Sequence, residues 1–591
     1  MECPAETSRG PLIGSKMLTN SGRVLGLVLA LAGGESACGD SSGDTDDSSS
    51  QSTTNSNVTS NQSSSSNSET ATNSGSSASS GSDSSSSSDS TSTTLPRPAL
   101  DVERYTLRAN FDPAIKRLVG EVTIDLRVLD AGAQEVVLDS LVEVVGVKLA
   151  DQSELTFTTQ ASDGSVSIHL PTPTASVNTL VSLTIRYLAT PDVGTDGLVV
   201  LEGTAQDGGF PVIYTNSEPS SARKWMPSHD VPSDRAWFSL EINAPAQDKV
   251  VASGDLGTDT VLADGRHVVT YASSMPLPTY EMAFAQGAFV VEKAQVGKVP
   301  LELWHRPGLI TDGATTLKNL GEGLEVIESL AGPYPFTQYR LVLIPGFPGG
   351  MENASSTFQG EVYSVAHDLG SDLELSMHEL GHQWFGDAIT VTVADDIWFK
   401  EGMATLLEFC VTRSLQEKES NPDYCASDLY VEDGVPIIDP TKVGLAKYTS
   451  GPYSRAAWLL SQIRRQVGDA AFWQGWRDLL SQHHAGNVTT KDVVDAWAAS
   501  PGYDPAAVQR ALTALAVPTI VGMQTSESVT LTLRDPDAAM IVPFELTWFE
   551  SGAQQQVVAL ASEVPLTLKR GGTVDAPDLL GVDVEDVHPN L

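Results

Sequence analysis

Within residues 372–387, DLELSMHELGHQWFGD, two histidines stand four residues apart and a glutamate follows the first. Leu373, Met377, Leu380 and Trp384 recur at three- and four-residue steps, so the stretch is predicted to be a helix with an apolar stripe packed on a core. On such a helix His378 and His382 lie one turn apart, about 6 Å along the axis, and their imidazoles can converge on one point. Glu379 projects about 100° away from His378. Eighteen residues separate His382 from Glu401, which lies at the start of a second apolar-periodic segment, IWFKEGMATLLEFCVTRSLQ. Taken singly, the histidines fit a solvated helix face, and Glu401 fits a helix-start carboxylate favoured by the macrodipole. Taken together, two neutral imidazoles and one carboxylate form a zinc donor set. It leaves the fourth tetrahedral position open, as a catalytic site requires and a structural site does not.

The rest of the chain sets this helix pair inside a multidomain α+β protein. At 591 residues it is long enough for three domains. Residues 97–294 alternate apolar and polar positions between Gly, Asp and Pro turns, as in KRLVGEVTIDLRVL, and predict an N-terminal antiparallel β domain. Residues 295–519 become mainly helical after a few strands, and residues 520–591 return to period-two alternation, predicting a small C-terminal β-sandwich. Ahead of these, Lys16 and Arg23 precede the apolar run Val24–Ala32, which is too short to span a bilayer and suits an export signal within residues 1–38. Cys38 follows in a lipobox-like setting, although Glu35 stands where an aliphatic residue is usual; lipidation at Cys38 and plain cleavage or an uncleaved anchor both remain open. Residues 39–96 are dominated by Ser, Thr, Asn, Gly and Asp, and a segment with so little to bury is expected to be a disordered linker. Cys410 and Cys425 are the cysteines of the folded part, either a local disulfide or two thiols. The balance of 35 basic against 75 acidic side chains, a formal −40, repels nucleic acid and anionic membrane surfaces.

Three further motifs flank the two helices. HELGHQWFGD and WFKEGMA stand together with Gly349-Gly-Met-Glu-Asn353 upstream. Further upstream is YTNSEPSSARKWMPSHDVPSDRAWFSL, and downstream is Pro452-Tyr453-Ser-Arg-Ala-Ala-Trp-Leu-Leu. In this order they resemble the aminopeptidase-N-type zinc metallopeptidases, the gluzincins with the pattern H-E-x-x-H-x18-E, collinearly from about Val102 to His484. The resemblance implies a thermolysin-like, mainly α catalytic domain holding one zinc ion per chain through His378, His382 and Glu401. Glu379 is implied as general base and Tyr453 as the hydrogen-bond donor to the tetrahedral oxyanion, with Tyr448 as its rival. Glu218 and Glu352 are implied to bind the α-ammonium of the first residue. Gly349, Gly350, Met351 and Asn353 complete that motif, the glycines admitting close backbone approach and Met351 packing as core.

Four positions depart from the pattern: Asn216 replaces glutamine, Lys400 replaces asparagine, and Arg455-Ala456 replaces Lys-Gly. None removes a ligand or the base. The expected partners are peptides with a free N-terminus, with no nucleic acid, a membrane tether only through Cys38, and a monomeric chain. Two alternatives stay open. One is another hydrolase on the same scaffold, an epoxide hydrolase or endopeptidase; the other is a non-catalytic peptide-binding protein.

Overall fold

The computed structural model describes residues 99–516 except 204–208, 310–311, 364–370 and 418–431, together with the backbone of strands between Thr519 and Glu585. The export signal, Cys38, the Ser-rich segment before residue 97 and Cys425 lie outside the described residues. Cys410 is disulfide-bonded.

The first layer is a nine-stranded sheet built on the long strands Leu100–Asp112, Arg117–Val128 and Thr179–Ala189. Arg117–Val128 alternates strictly between half-exposed and buried positions, which places Val122, Ile124, Leu126 and Val128 on the core face. This is the period that the sequence displays. The sheet is not purely antiparallel: Leu100–Asp112 runs parallel to Arg235–Ala244, with Tyr105 opposite Phe238. A hairpin forces antiparallel pairing only between strands joined by a tight turn, and these two are more than a hundred residues apart, so alternation could not reveal their direction. A four-stranded sheet contains Pro211–Asn216, whose end leads directly to Glu218.

A five-stranded sheet of order Val290–Val296, Val299–His305, Tyr339–Ile344, Ser356–Gly360, Gly350–Met351 carries the next layer. Tyr339–Ile344 is buried along its whole length and pairs in parallel on both sides, which explains its apolar run from Leu341 to Ile344. The short strand Gly350–Met351 lies at the edge. Beside this sheet stand helices α1 (Gly313–Ala331), α2 (Ser371–His382), α3 (Ile397–Glu417), α4 (Ala456–Val467) and α5 (Asp469–Gln482). Helix α2 is not half-solvated: its apolar stripe and its polar face, from Ser376 to His382, are both buried. Gly381 lets α3 approach, since a Cβ there would stand 3.1 Å from Leu407 Cδ1. Among the described residues no helix is long and apolar enough to cross a membrane. Beyond residue 518 the backbone forms a four-stranded and a three-stranded sheet.

Candidate active site

The burial of α2 against α3 leaves three polar side chains pointing at one spot. His378 Nε2 and His382 Nε2 are 3.1 Å apart, and Glu401 Oε2 lies 3.5 Å from the first and 3.3 Å from the second. A tetrahedral zinc with bonds of about 2.0–2.1 Å separates its ligand atoms by roughly 3.3 Å, so these spacings fit that ion. All three residues are at most 5% exposed. The outer nitrogens are tied down: His378 Nδ1 lies 3.0 Å from Glu408 Oε2, and His382 Nδ1 lies 3.0 Å from the Phe385 carbonyl. Donating Nδ1–H to these acceptors fixes the tautomer that turns each Nε2 lone pair inward. Glu408 sits two turns beyond Glu401 on the same face of α3, a helical spacing visible in the sequence but not used there. Glu408→Gln is expected to weaken zinc binding by about 10–100-fold while leaving the fold intact, as read by competition with a chromophoric chelator.

Glu379 stands beside this centre and is not one of the converging donors. Its side chain is buried and its Oε2 has no hydrogen-bond partner among the described residues. Burial pushes its carboxyl well above the usual range; His378 opposes the shift, while Glu352 and Glu401 add to it. The contact across the site is close: a Cβ on Gly350 would fall 2.0 Å from Glu379 Oε1. Any larger residue at 350 would force the Glu379 side chain out of this position.

A second cluster adjoins the first. Glu352 and Glu218 both face the Lys400 ammonium, with Nζ to Oε1 distances of 2.6 and 2.8 Å, and Lys400 also reaches Glu401 Oε1 at 2.8 Å. Burial is the largest influence and works to raise the Glu352 carboxyl, but the charges of Lys400 and His382 and the Lys400 hydrogen bond together outweigh it and hold Glu352 below the usual range. Burial and then the Glu352 charge push Glu218 up, with Lys400 opposing. Gln383, the residue after His382, clips the two clusters together. Its amide donates to the Glu352 carbonyl at 2.8 Å and accepts from the Ser355 N–H at 2.8 Å and the Tyr334 hydroxyl at 3.1 Å. Met351 packs in the core and Asn353 is fully buried. Gly349 adopts φ 118°, a backbone state that favours glycine.

The two candidate tyrosines separate cleanly. Tyr448 donates its hydroxyl to Glu218 Oε1 at 3.0 Å, so it belongs to the carboxylate cluster. Tyr453 stacks on His378, with ring centroids 6.0 Å apart, and therefore borders the zinc-fitting centre. It rides on a π-helical turn, Gly451–Arg455, of the kind often found at functional sites. Arg455 holds that turn by donating to the carbonyls of Val435, Leu515 and Ala516 at 2.8–3.0 Å. The sequence marked Arg455 and Lys400 as departures without showing what they hold.

Comparison with known proteins agrees with this geometry. Residues 317–513 match the Peptidase family M1 domain, and residues 101–280 match the Peptidase M1 N-terminal domain. The chain is 26% identical to Aminopeptidase 2 of Candida albicans over 414 residues, covering 65% of this chain and 44% of that protein. It is 26% identical to Aminopeptidase N of Lactobacillus helveticus over 324 residues, 50% of this chain and 37% of that one. The chain thus spans less than half the length of these curated relatives. Among solved structures, the M1 zinc metallopeptidase of Deinococcus radiodurans superposes with a TM-score of 0.58 at 25% identity, over 70% of this chain and 94% of that chain. Aminopeptidase A of Legionella pneumophila shares the fold with a TM-score of 0.71 at 17% identity, over 84% of this chain and 60% of that chain.

Proposed function

Because the chain belongs to the M1 peptidase family, we propose that it is a zinc-dependent aminopeptidase, removing the first residue from peptides with a free N-terminus. The observation that carries this reading is the convergence of His378, His382 and Glu401 beside a buried, unpartnered Glu379 oxygen. His378, His382 and Glu401 would hold the zinc ion, whose Lewis acidity would make a water nucleophilic near neutral pH. Glu379 takes the proton from that water through its free oxygen and later delivers it to the departing amine. Its carboxyl must be ionised to begin, and the cationic field of the loaded centre opposes the upward push of burial. The Tyr453 hydroxyl donates to the oxyanion as it develops, a contribution that typically amounts to about 10²–10³ in turnover.

The restriction to the first residue is assigned to Glu218 and Glu352, which offer two carboxylates to an α-ammonium in a site that excludes most water. Gly349 and Gly350 at the sheet edge leave room for the substrate backbone, and the Asn353 carbonyl accepts from the Ser356 N–H at 2.7 Å in the turn behind it. The test compares an aminoacyl p-nitroanilide with its desamino counterpart, with and without chelator. Glu352→Gln is expected to raise KM for the aminoacyl substrate at least about tenfold, with little change for the desamino one, because a buried charge partner is lost. Equal effects on both substrates would remove Glu352 from amine recognition.

The reading extends to the ends of the chain. The two C-terminal sheets are taken to pack as the small β-sandwich. The basic and apolar residues before Ala32, followed by Cys38, support an exported enzyme, secreted or held at the cell envelope by a lipid on Cys38.

A further inference from the structure

Lys400 precedes the metal-fitting Glu401 directly and is 1% exposed. An ammonium carries three N–H donors and no acceptor. Three different carboxylates lie within hydrogen-bond reach of this one: Glu352 at 2.6 Å, Glu218 at 2.8 Å and Glu401 at 2.8 Å. The face of Tyr280 lies 5.6 Å from the same nitrogen. A primary ammonium between carboxylates is what the first nitrogen of a peptide would present at this place, and here the chain itself supplies one.

We propose that Lys400 is a specificity-determining residue: a tethered ammonium that occupies part of the amine-anchoring site and competes there with the first nitrogen of the substrate. This rests on the reading of Glu218 and Glu352 as amine anchors. The charge count gives the consequence. Glu401 is turned toward the two imidazoles, so the pair Glu218 and Glu352 offers two negative charges, of which Lys400 neutralises one. An incoming ammonium meets one remaining charge and carboxylate oxygens already engaged. Because Lys400 is part of the same chain, its effective concentration at the site is fixed and high, and dilution cannot remove it. The enzyme should therefore bind free-amine substrates weakly and distinguish them from desamino analogues less sharply than two unshared carboxylates would.

The experiment uses the full chain saturated with zinc, its metal content verified, and the best aminoacyl p-nitroanilide from a panel together with its desamino counterpart. Lys400→Met and Lys400→Asn are each expected to lower KM for the aminoacyl substrate by about tenfold or more, with kcat within about threefold and no gain on the desamino substrate. Lys400→Arg keeps the cation and should keep KM high. An unchanged or raised KM for the aminoacyl substrate in Lys400→Met and Lys400→Asn overturns the proposal and leaves Lys400 as a support for the carboxylates. Glu352→Gln separates the two readings. If it erases the free-amine preference while the Lys400 variants fail to improve KM, only the present inference falls; if it leaves that preference untouched, the amine-anchor reading falls and takes this one with it. Should the Lys400 variants not fold, the wild type decides. An unshared buried ion pair would favour the free amine by on the order of a thousandfold in kcat/KM, so a preference below about a hundredfold supports competition and a larger one overturns it.

Discussion

Glu379→Gln is expected to lower kcat by about 10²–10⁴-fold while zinc content and the melting temperature stay near those of the wild type. The substitution keeps the size of the side chain and its contact with Gly350, whose missing Cβ makes room for it. What it removes is a carboxylate beside the centre with an oxygen that has no hydrogen-bond partner among the described residues. Because Glu379 is not one of the three converging donors, the metal should remain bound. The separation of these two outcomes carries the test. Loss of zinc together with activity would make Glu379 a ligand instead, and retained turnover would move the base elsewhere. KM should change little, since the residue acts during chemistry rather than in holding the first nitrogen.

Removal of the metal is the second large effect. Dialysis against a strong chelator should reduce activity to background, and added zinc should restore it in the wild type. His382→Ala should lack activity under both conditions, because two remaining donors cannot complete the site. Stability should follow binding: at free zinc one hundred times its Kd, the folded state gains about 2.7 kcal/mol, so the melting temperature should rise with zinc concentration in the wild type and stay flat in His382→Ala. The local charges reinforce this direction, since Glu401, Glu379, Glu352 and Glu218 crowd one buried region with Lys400 as their nearest compensating ammonium. A wild type that keeps full turnover after metal-free dialysis would defeat the hydrolytic scheme.

The parts of the site that periodicity alone could bring together are those whose partners lie at helical spacing; Glu218, Glu352 and Tyr453 were reached through motifs. His378 and His382 share one turn, and a second apolar-periodic segment begins near Glu401, so local geometry was enough to suggest their convergence. Glu408 obeys the same rule two turns beyond Glu401 and could have been found by it. Other features depend on contacts between distant segments. Gln383 meets the Glu352 carbonyl only because an edge strand returns against α2, and Lys400 meets Glu218 across 182 residues of chain. No periodicity encodes such meetings. The parallel pairing of Leu100–Asp112 with Arg235–Ala244 was hidden for a related reason, since alternation reports which face a residue occupies and is silent about strand direction. The motif put Tyr453 ahead of Tyr448, but the contacts that separate them, Tyr448 with Glu218 and Tyr453 with His378, join distant segments.

The Gln383 amide has a consequence for how such a catalyst can change over evolutionary time. By grasping the Glu352 loop and the end of the histidine helix at once, it turns two neighbouring segments into a single gauge of fixed length. Neither half can drift without the other. On the aminopeptidase reading proposed above, new appetites for bulkier or more polar first residues would arise from reshaping the surrounding walls, with the span between the Glu352 loop and the histidine helix held constant.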